Sequence, residues 1–365
     1  MREALARRLK RRPHAPVGIF PTPLQKMPRL SELFVRPVYF KRDDLAGLAV
    51  GGSKIRVLRH TAGDALERGA DLFVAGGYVQ SNHPMQVAAV GRSLGIPTEM
   101  VLDTTKGYEV QGNLLLTALM GVKVYYVRLG NYEAIRDECA RLVARLQRRG
   151  RRARLLTLTP EIHVLNALAY AEGFFELARQ LEEAGIGRAD IFIGSGGPTY
   201  AGLVLGAAAW GHGLRVHGAP PRGIGAAAER VLDVARRAAG AVGLDIPLRL
   251  QDVALLGRGE GVYGFTYPAA MQAVRMVAQA EGVFLDPVYT GNAMAEMLAW
   301  LKGHPGDGPV VFFHTGGVPA LFAFDRELMG ARHPGRGRAR RAWRLGTPRI
   351  RRAAGAIRVR EEVRS

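Results

Sequence analysis

Residues 71–77 read DLFVAGG, a short apolar run that ends in two glycines, and residues 83–95, HPMQVAAVGRSLG, follow with the length and composition of a helix. The same order recurs twice directly afterwards, as TEMVLD with VQGNLLLTALMG and as VKVYYV with YEAIRDECARLVARLQRRG. It resumes after residue 155, where ADIFIG leads into SGGPTYAGLVLGAAAW. Repeated units of this length predict an α/β fold of two three-layer α/β/α lobes with mostly parallel sheets.

Composition narrows the class of protein further. A chain of 365 residues with 48% hydrophobic content can bury one large core or two ordinary ones. No run of about 18 apolar residues occurs, so neither a membrane span nor a secretory signal is predicted. The single cysteine, Cys139, cannot form an internal disulfide or a cysteine-rich metal site, which fits a reducing compartment. We therefore expect a cytoplasmic protein, and no metal site is predicted.

The formal net charge of +19 is concentrated at the two ends of the chain. Residues 1–15 carry six Lys/Arg and one Glu, and residues 331–365 carry twelve Arg and two Glu, which leaves +4 for residues 16–330. Segment 331–365 has little apolar periodicity and several Pro and Gly residues, so it is predicted to be a flexible basic tail. Nucleic-acid contact by its arginines is the alternative, although Trp343 is the only ring there for base stacking.

Residues 51–56 read GGSKIR, and Lys54 is one of only 7 lysines among 51 basic residues. A lysine amine can lose its proton and attack a carbonyl to form an imine, whereas an arginine guanidinium stays protonated. Lys54 is therefore a candidate for covalent attachment of a carbonyl cofactor. The ordinary alternative is a solvated lysine beside a turn.

Four further loops follow apolar strands, where open α/β sheets bind their ligands. In GSGGPT at 194–199, the glycines and the start of the next helix favour a phosphate, although Pro198 has no amide hydrogen to donate. The loop has neither the Walker ending nor the spaced glycines of a dinucleotide loop, so a monophosphate is predicted. The other loops are QSNHPMQVAA at 80–89, DPVYTG at 286–291 and FFHTGG at 312–317, and each alone is also explained as a structural turn.

Together and in this order, these loops and GGSK resemble the pyridoxal-phosphate enzyme family that contains D-cysteine desulfhydrase and 1-aminocyclopropane-1-carboxylate deaminase. The resemblance covers roughly residues 17–330 and includes FPTPLQKMPRL and FKRDDLAGLAVGGSKIR. It implies the tryptophan-synthase-β-like fold, fold type II. Residues 1–54 and 156–330 would form the larger, cofactor-binding lobe, and residues 55–155 a smaller inserted lobe.

The resemblance also implies how pyridoxal 5′-phosphate is held. Lys54 would carry the cofactor as a Schiff base and later act as the base near the substrate Cα. Asn82 would bond the cofactor's 3′-oxygen, and Thr290 would face its pyridine nitrogen. The phosphate would lie on Gly194, Ser195, Gly196, Gly197 and Thr199.

Substrate contacts follow from the same resemblance. Ser81, Asn82 and His83 would hold the substrate carboxylate, and Ser81 is also a catalytic candidate. Tyr263 and Tyr289 would line the reacting face as the remaining catalytic residues. Since the pKa of tyrosine in water is near 10, these phenols need tuning before they exchange protons at neutral pH.

Position 290 separates the two activities of the family. The cyclopropane deaminases carry glutamate directly after the tyrosine, whereas Thr290 matches the desulfhydrase-like branch. The expected reaction is α,β-elimination from a small amino acid to a keto acid and ammonia. Deamination of a cyclic amino acid, β-replacement, racemisation and cofactor binding without catalysis remain alternatives. The expected partners are a small amino-acid substrate and, in a homodimer, a second copy of the chain.

Several residues beside the expected site depart from the family pattern. Ser53 replaces the usual asparagine, Pro84 and Met85 replace alanine and arginine, and Asn292 replaces lysine, while the family has no proline at the position of Pro198. These departures predict an altered substrate pocket. Substrate identity and handedness stay open.

Overall fold

The computed structural model describes residues 1–157, 159–257, 259, 261–329, 350–353 and 356–359. The chain divides into two compact units, the first of residues 1–68 and 158–321 and the second of residues 69–157 and 322–365. Each unit contains one sheet of six strands within the described residues. The α/β class with mostly parallel sheets, predicted from the sequence, is confirmed.

The described helices, in chain order, are α1 (Arg2–Lys10), α2 (Pro28–Phe34), α3 (Ser53–Glu67), α4 (Asn82–Leu94), α5 (Gly112–Leu119), α6 (Tyr132–Arg148), α7 (Pro160–Glu183), α8 (Pro198–Trp210), α9 (Ala228–Ala241), α10 (Pro268–Glu281), α11 (Thr290–Gly303) and α12 (Asp325–Met329). The strands are β1 (Leu24–Lys26), β2 (Val38–Arg42), β3 (Leu72–Tyr78), β4 (Thr98–Asp103), β5 (Lys123–Val127), β6 (Ala153–Leu155), β7 (Ala189–Ile193), β8 (Leu214–Gly218), β9 (Ala254–Leu255), β10 (Val310–His314), β11 (Ile350–Ala353) and β12 (Ala356–Val359).

The sheet of the first unit has the strand order β1-β2-β10-β7-β8-β9. β1 runs antiparallel to β2, and the other neighbours are parallel. All five residues of the central strand β10 are buried, as expected for a parallel strand covered on both faces. The carboxyl ends of β7 and β10 therefore lie at one edge of this sheet, where the loops after them can meet.

The sheet of the second unit has the order β11-β12-β5-β4-β3-β6. β3, β4, β5 and β6 are parallel, while β12 pairs antiparallel with β5 and with β11. Cys139 of α6 is fully buried and packs on Gly76 of β3, so the only cysteine is a core residue.

Most of the predicted basic tail, residues 331–349, 354–355 and 360–365, lies outside the described residues. The predicted flexibility of that tail stays a prediction. None of the described helices is both long and apolar enough to cross a membrane.

Candidate active site

Lys54 is the second residue of α3, directly after a glycine turn. Gly51 and Gly52 have φ values of 69° and 114°, a region that side-chain-bearing residues rarely adopt. The amide of Ser53 donates to the carbonyl of Thr315 at 2.8 Å, which ties the GGSK turn to the FFHTGG turn after β10. The backbone therefore fixes the position of Lys54 at the helix start.

The Lys54 amine has no acidic partner among the described residues. The side chain is half-buried, and its Nζ contacts the hydroxyl of the neighbouring Ser53 at 3.5 Å. Burial lowers the pKa of Lys54 to about 8, because the charged ammonium is desolvated and no carboxylate compensates. At neutral pH an appreciable share of this amine is unprotonated, as attack on an aldehyde requires.

Lys41 provides the contrast within the same unit. It is fully buried, and its Nζ donates to the carbonyl of Thr22 at 2.5 Å, to Gln180 Oε1 at 2.8 Å and to the carboxylate of Glu176. An ammonium has three hydrogens to donate, and all three are used here. Lys41 is therefore a structural residue, whereas Lys54 keeps its amine available.

The lowered pKa of Lys54 sets the expected pH dependence of cofactor attachment. Because the unprotonated amine is the nucleophile, the attachment rate of added pyridoxal 5′-phosphate to the cofactor-free protein should rise about tenfold per pH unit below pH 8. It should level off above pH 8, whereas an ordinary lysine would level off only near 10.4. Stopped-flow absorbance measures this rate, and a plateau above pH 10 would contradict the lowered pKa.

The glycine loop at 194–199 joins the end of β7 to the start of α8. A side chain at Gly194 would place its Cβ 3.0 Å from the carbonyl oxygen of Tyr289, so this loop lies against the DPVYTG turn. Ser195 Oγ accepts from the amide of Gly197 at 3.2 Å. Pro198 is the first helical residue, a position whose amide makes no bond within the helix and where proline is common. Pro198 therefore weakens the predicted phosphate site only by the one backbone amide donor that proline lacks.

Thr199, another predicted phosphate contact, also lies in the first unit. It is the second residue of α8 and is buried, and its hydroxyl donates to Asn166 Oδ1 at 3.3 Å. Asn166 lies on α7 and is itself buried. The start of α8 is thus held by a side-chain contact from the neighbouring helix.

Asp286 fixes the turn before α11, a role that sequence reasoning missed. The buried carboxylate accepts the backbone amides of Val288, Tyr289 and Thr290 at 2.9, 2.7 and 2.9 Å, and the Thr290 hydroxyl at 2.7 Å. The Thr290 hydroxyl also accepts the Asp286 amide at 2.7 Å. The proton of the Thr290 hydroxyl is thus donated to the Asp286 carboxylate. The sequence signal for this role is an aspartate three residues before Tyr289, the residue that precedes α11.

Replacing Thr290 by valine is expected to lower the free energy of unfolding by about 1–3 kcal/mol, because the Asp286 amide and carboxylate each lose a buried partner. Thr290→Ser keeps both hydrogen bonds and is the matched control. Denaturant unfolding of the two variants measures the difference. Loss in Thr290→Ser but not in Thr290→Val would show that packing of the threonine methyl, and not the hydroxyl, stabilises this turn.

Tyr263 and Tyr289 come together in the first unit, although they are far apart in sequence. Their hydroxyl groups are hydrogen-bonded to each other, and their ring centroids are 6.1 Å apart at an angle of 71°. Tyr289 lies directly before α11. These contacts join the glycine loop, Thr290 and both tyrosines. The FFHTGG turn, which is tied to the GGSK turn, lies against the same segment, since a Cβ at Gly317 would be 2.6 Å from Asp286 Oδ2.

Ser81, Asn82 and His83 lie in the second unit at the start of α4. Ser81 is the N-cap and accepts the His83 amide at 3.4 Å. Asn82 Oδ1 accepts from Asn113 Nδ2 at 2.8 Å, which leaves the Asn82 amide group to donate to a ligand oxygen. His83 Nε2 bonds the carbonyl of Leu156 at 2.5 Å, an interaction that orients the ring.

The departures at Pro84 and Met85 also lie on α4. Pro84 is the third helical residue, so the first turn has one amide donor fewer than it would have with alanine. Met85 is buried. Asn292 is buried on α11, and its Nδ2 donates to the carbonyl of Pro220 at 3.1 Å.

The chemistry of these donors fits a phosphorylated aldehyde cofactor. A half-buried amine with no acidic partner suits covalent capture of an aldehyde, and a glycine loop at a helix start suits a phosphate monoester. Residues 16–316 match the family described as pyridoxal-phosphate dependent enzyme, and the chain belongs to that family. It is a pyridoxal-phosphate-dependent enzyme of fold type II.

Individual relatives show which kinds of protein the chain resembles. The chain is 35% identical over 320 residues to D-cysteine desulfhydrase of Salmonella newport (strain SL254), covering 83% of this chain and 94% of that one. A solved ACC deaminase homologue superimposes with a TM-score of 0.80 at 29% identity, covering 90% of this chain and 99% of the other. A fungal L-serine ammonia-lyase from Rhizomucor miehei shares the fold, with a TM-score of 0.58 and 18% identity. The chain thus resembles a D-cysteine desulfhydrase and an ACC deaminase homologue, and it shares only its fold with the ammonia-lyase.

Proposed function

We propose that this enzyme eliminates a β-substituent from a small amino acid such as D-cysteine, releasing a keto acid, ammonia and, from cysteine, sulfide. The observation that supports this most directly is the Lys54 amine at the start of α3, half-buried and without an acidic partner in the part of the chain that the structure describes. The 35% identity to a D-cysteine desulfhydrase favours this reaction among those of the family. Thr290, where the cyclopropane deaminases carry glutamate, supports the same choice.

Lys54 and the loop at 194–199 would hold the cofactor. When bound, pyridoxal phosphate withdraws electrons from the substrate Cα and so makes its proton removable. The Lys54 amine would hold the cofactor through its aldehyde and would be the group that takes the substrate's Cα proton. Its lowered pKa suits this base role, since the unprotonated form is accessible near neutral pH.

The other site residues would bind and orient the reactants. Ser81 and His83 at the start of α4 would hold the substrate carboxylate, which the positive end of the helix favours. The Asn82 amide group would donate to the cofactor's 3′-oxygen. Tyr263 and Tyr289, hydrogen-bonded to each other, would place a phenol proton within reach of a departing thiolate.

We also propose the assignment of lobes. Residues 1–54 and 156–330 would form the cofactor-binding lobe, and residues 55–155 the smaller inserted lobe. The expected boundary after residue 54 lies inside α3, and all of α3 belongs to the first compact unit. The enzyme would act in the cytoplasm as a homodimer.

Product analysis of the holoenzyme tests the proposed reaction. With D-cysteine, we expect equal amounts of keto acid, ammonia and sulfide, and with β-chloro-D-alanine equal amounts of keto acid and ammonia. The matched L-isomers test handedness, and 1-aminocyclopropane-1-carboxylate tests the deaminase alternative. Formation of an inverted or substituted amino acid without ammonia would overturn the elimination.

A further inference from the structure

Outside the cofactor-binding residues, the first unit brings together His14, His60 and Glu172. His14 lies in the segment between α1 and β1, His60 on α3 and Glu172 on α7. Both imidazole Nε2 atoms lie 3.1 Å from Glu172 Oε2, and the three candidate ligand atoms lie within 4.8 Å of one another. Nothing in the proposed reaction uses these residues.

Backbone contacts hold His14 in this position. The amide of Ala15 donates to the carbonyl of Arg59 at 2.7 Å. Gly63 lies beneath the same segment, and a Cβ there would be 2.6 Å from the carbonyl oxygen of Pro13 and 2.8 Å from the nitrogen of Ala15. Residues 13–15 therefore rest directly on α3, one helical turn from His60, and the cluster is preorganised by the fold.

The two oxygens of Glu172 have different surroundings. Oε1 accepts from Arg59 Nη1 at 3.1 Å, which leaves Oε2 facing the two histidines. The imidazole rings meet edge to face, with centroids 4.4 Å apart at 87°. The carboxylate is thus already oriented by an arginine while its second oxygen points to two nitrogens.

Hydrogen bonds within the described residues do not account for these contacts. Glu172 Oε2 and His14 Nε2 are buried without a hydrogen-bond partner there, and so is Nδ1 of His60, whose side chain is only 2% exposed. The 3.1 Å separation between His14 Nε2 and Glu172 Oε2 is short enough for a hydrogen bond, so it is the direction of the imidazole N–H that does not fit. Buried polar atoms in native proteins are nearly always satisfied by protein, water or an ion.

The separations fit a shared metal ion. For bonds of about 2.0–2.1 Å, adjacent ligands of a tetrahedral Zn²⁺ ion lie about 3.3 Å apart, close to the two distances to Glu172 Oε2. Imidazole favours transition metals over Ca²⁺ and Mg²⁺, and two histidines with one carboxylate form a known ligand set for such ions. The side chains of His14 and Glu172 are 19% and 25% exposed, although His14 Nε2 and Glu172 Oε2 themselves are buried.

We propose that His14, His60 and Glu172 bind one divalent transition-metal ion of the Zn²⁺ class. The ion clamps residues 13–15 onto α3, the helix that begins with Ser53 and Lys54. Its role is structural: it anchors the N-terminal segment to the helix that carries the cofactor lysine. No sequence motif predicts this site, because its three ligands are widely separated along the chain.

Metal titration of the untagged holoenzyme tests the proposal. Isothermal titration with Zn²⁺ should give about one ion per chain, and Co²⁺ should produce visible d–d bands distinct from the cofactor band. His14→Ala and Glu172→Gln should each abolish both signals. His212→Ala, at an exposed histidine, should leave them unchanged.

Retained binding in either ligand variant would overturn the proposal, as would a wild-type holoenzyme that binds no ion. Cofactor absorbance and circular dichroism establish that each variant is folded. If Glu172→Gln does not fold, His14→Ala decides, because His14 lies outside the helices and strands. Zn²⁺ should also slow proteolytic cleavage around residues 11–16 in the wild type and not in His14→Ala.

Discussion

Lys54→Arg is expected to abolish covalent cofactor attachment and to lower turnover by about 10⁴-fold or more, since both the nucleophile and the base are lost. Arginine keeps the positive charge and the helix propensity of lysine, so α3 should still form. A guanidinium cannot lose its proton at any accessible pH. The change therefore removes the chemistry of the amine while keeping the helix start at Ser53.

Borohydride reduction followed by peptide mapping measures this directly. The wild type should carry the reduced cofactor on the peptide that contains Lys54, and Lys54→Arg should carry none. Lys26→Arg, the same change at an exposed lysine on β1, should label and turn over as the wild type does. A label on Lys41 would overturn the assignment, although the three hydrogen bonds of that amine argue against it.

Features encoded in short segments were predictable from the sequence. Apolar runs such as DLFVAGG and ADIFIG form β3 and β7, and the glycine turns after them lead into helices. These signals are local, because strand and helix periodicity and the conformational freedom of glycine act within a few residues. The α/β class followed from the order of these segments along the chain, and the cofactor followed from the resemblance of the motifs to a known family.

Contacts between distant segments were not predictable in the same way. In the sequence, Asp286 stands out only as part of the DPVYTG motif. The four hydrogen bonds that its carboxylate accepts form only once the turn closes. The His14, His60 and Glu172 cluster depends on packing α3 against α7 and on the path of the N-terminal segment. No short-range pattern specifies such packing, since single charged or imidazole side chains are individually ordinary.

A second cluster of this kind lies next to Lys54 on α3. Arg56, two residues after Lys54 on α3, is 2% exposed, and its guanidinium donates to both carboxylate oxygens of Asp43 at 2.7 and 2.8 Å. It also donates to Glu176 on α7 at 3.0 and 3.1 Å. The Asp43 carbonyl accepts the Gly52 amide at 2.8 Å, so the same residue holds the turn before Lys54.

Arg56→Leu is therefore expected to lower the free energy of unfolding by about 3–5 kcal/mol, because Asp43 would keep a buried charge without its cationic partner and Glu176 would keep only Lys41. Arg29→Leu, which breaks an exposed pair with Glu32, should change it by less than about 1 kcal/mol. Denaturant unfolding of both variants at neutral pH measures the difference. Similar small losses in the two variants would show that the Arg56 network does not stabilise the fold.

The pH dependence of stability gives the Arg56 prediction a second, independent readout. Burial alone would raise the pKa of Glu176, but Arg56 and then Lys41 outweigh it and lower that pKa to about 2. A carboxylate with a lowered pKa stabilises the folded state above its unfolded value of about 4.3, and this stabilisation is lost as the pH falls toward 2. In Arg56→Leu the Glu176 pKa should rise toward its unfolded value, so this carboxylate would no longer make stability depend on pH in that range. Stability measured from pH 6 down to pH 3 should therefore fall less steeply in Arg56→Leu than in the wild type, while parallel curves would show that Arg56 does not hold Glu176 ionised.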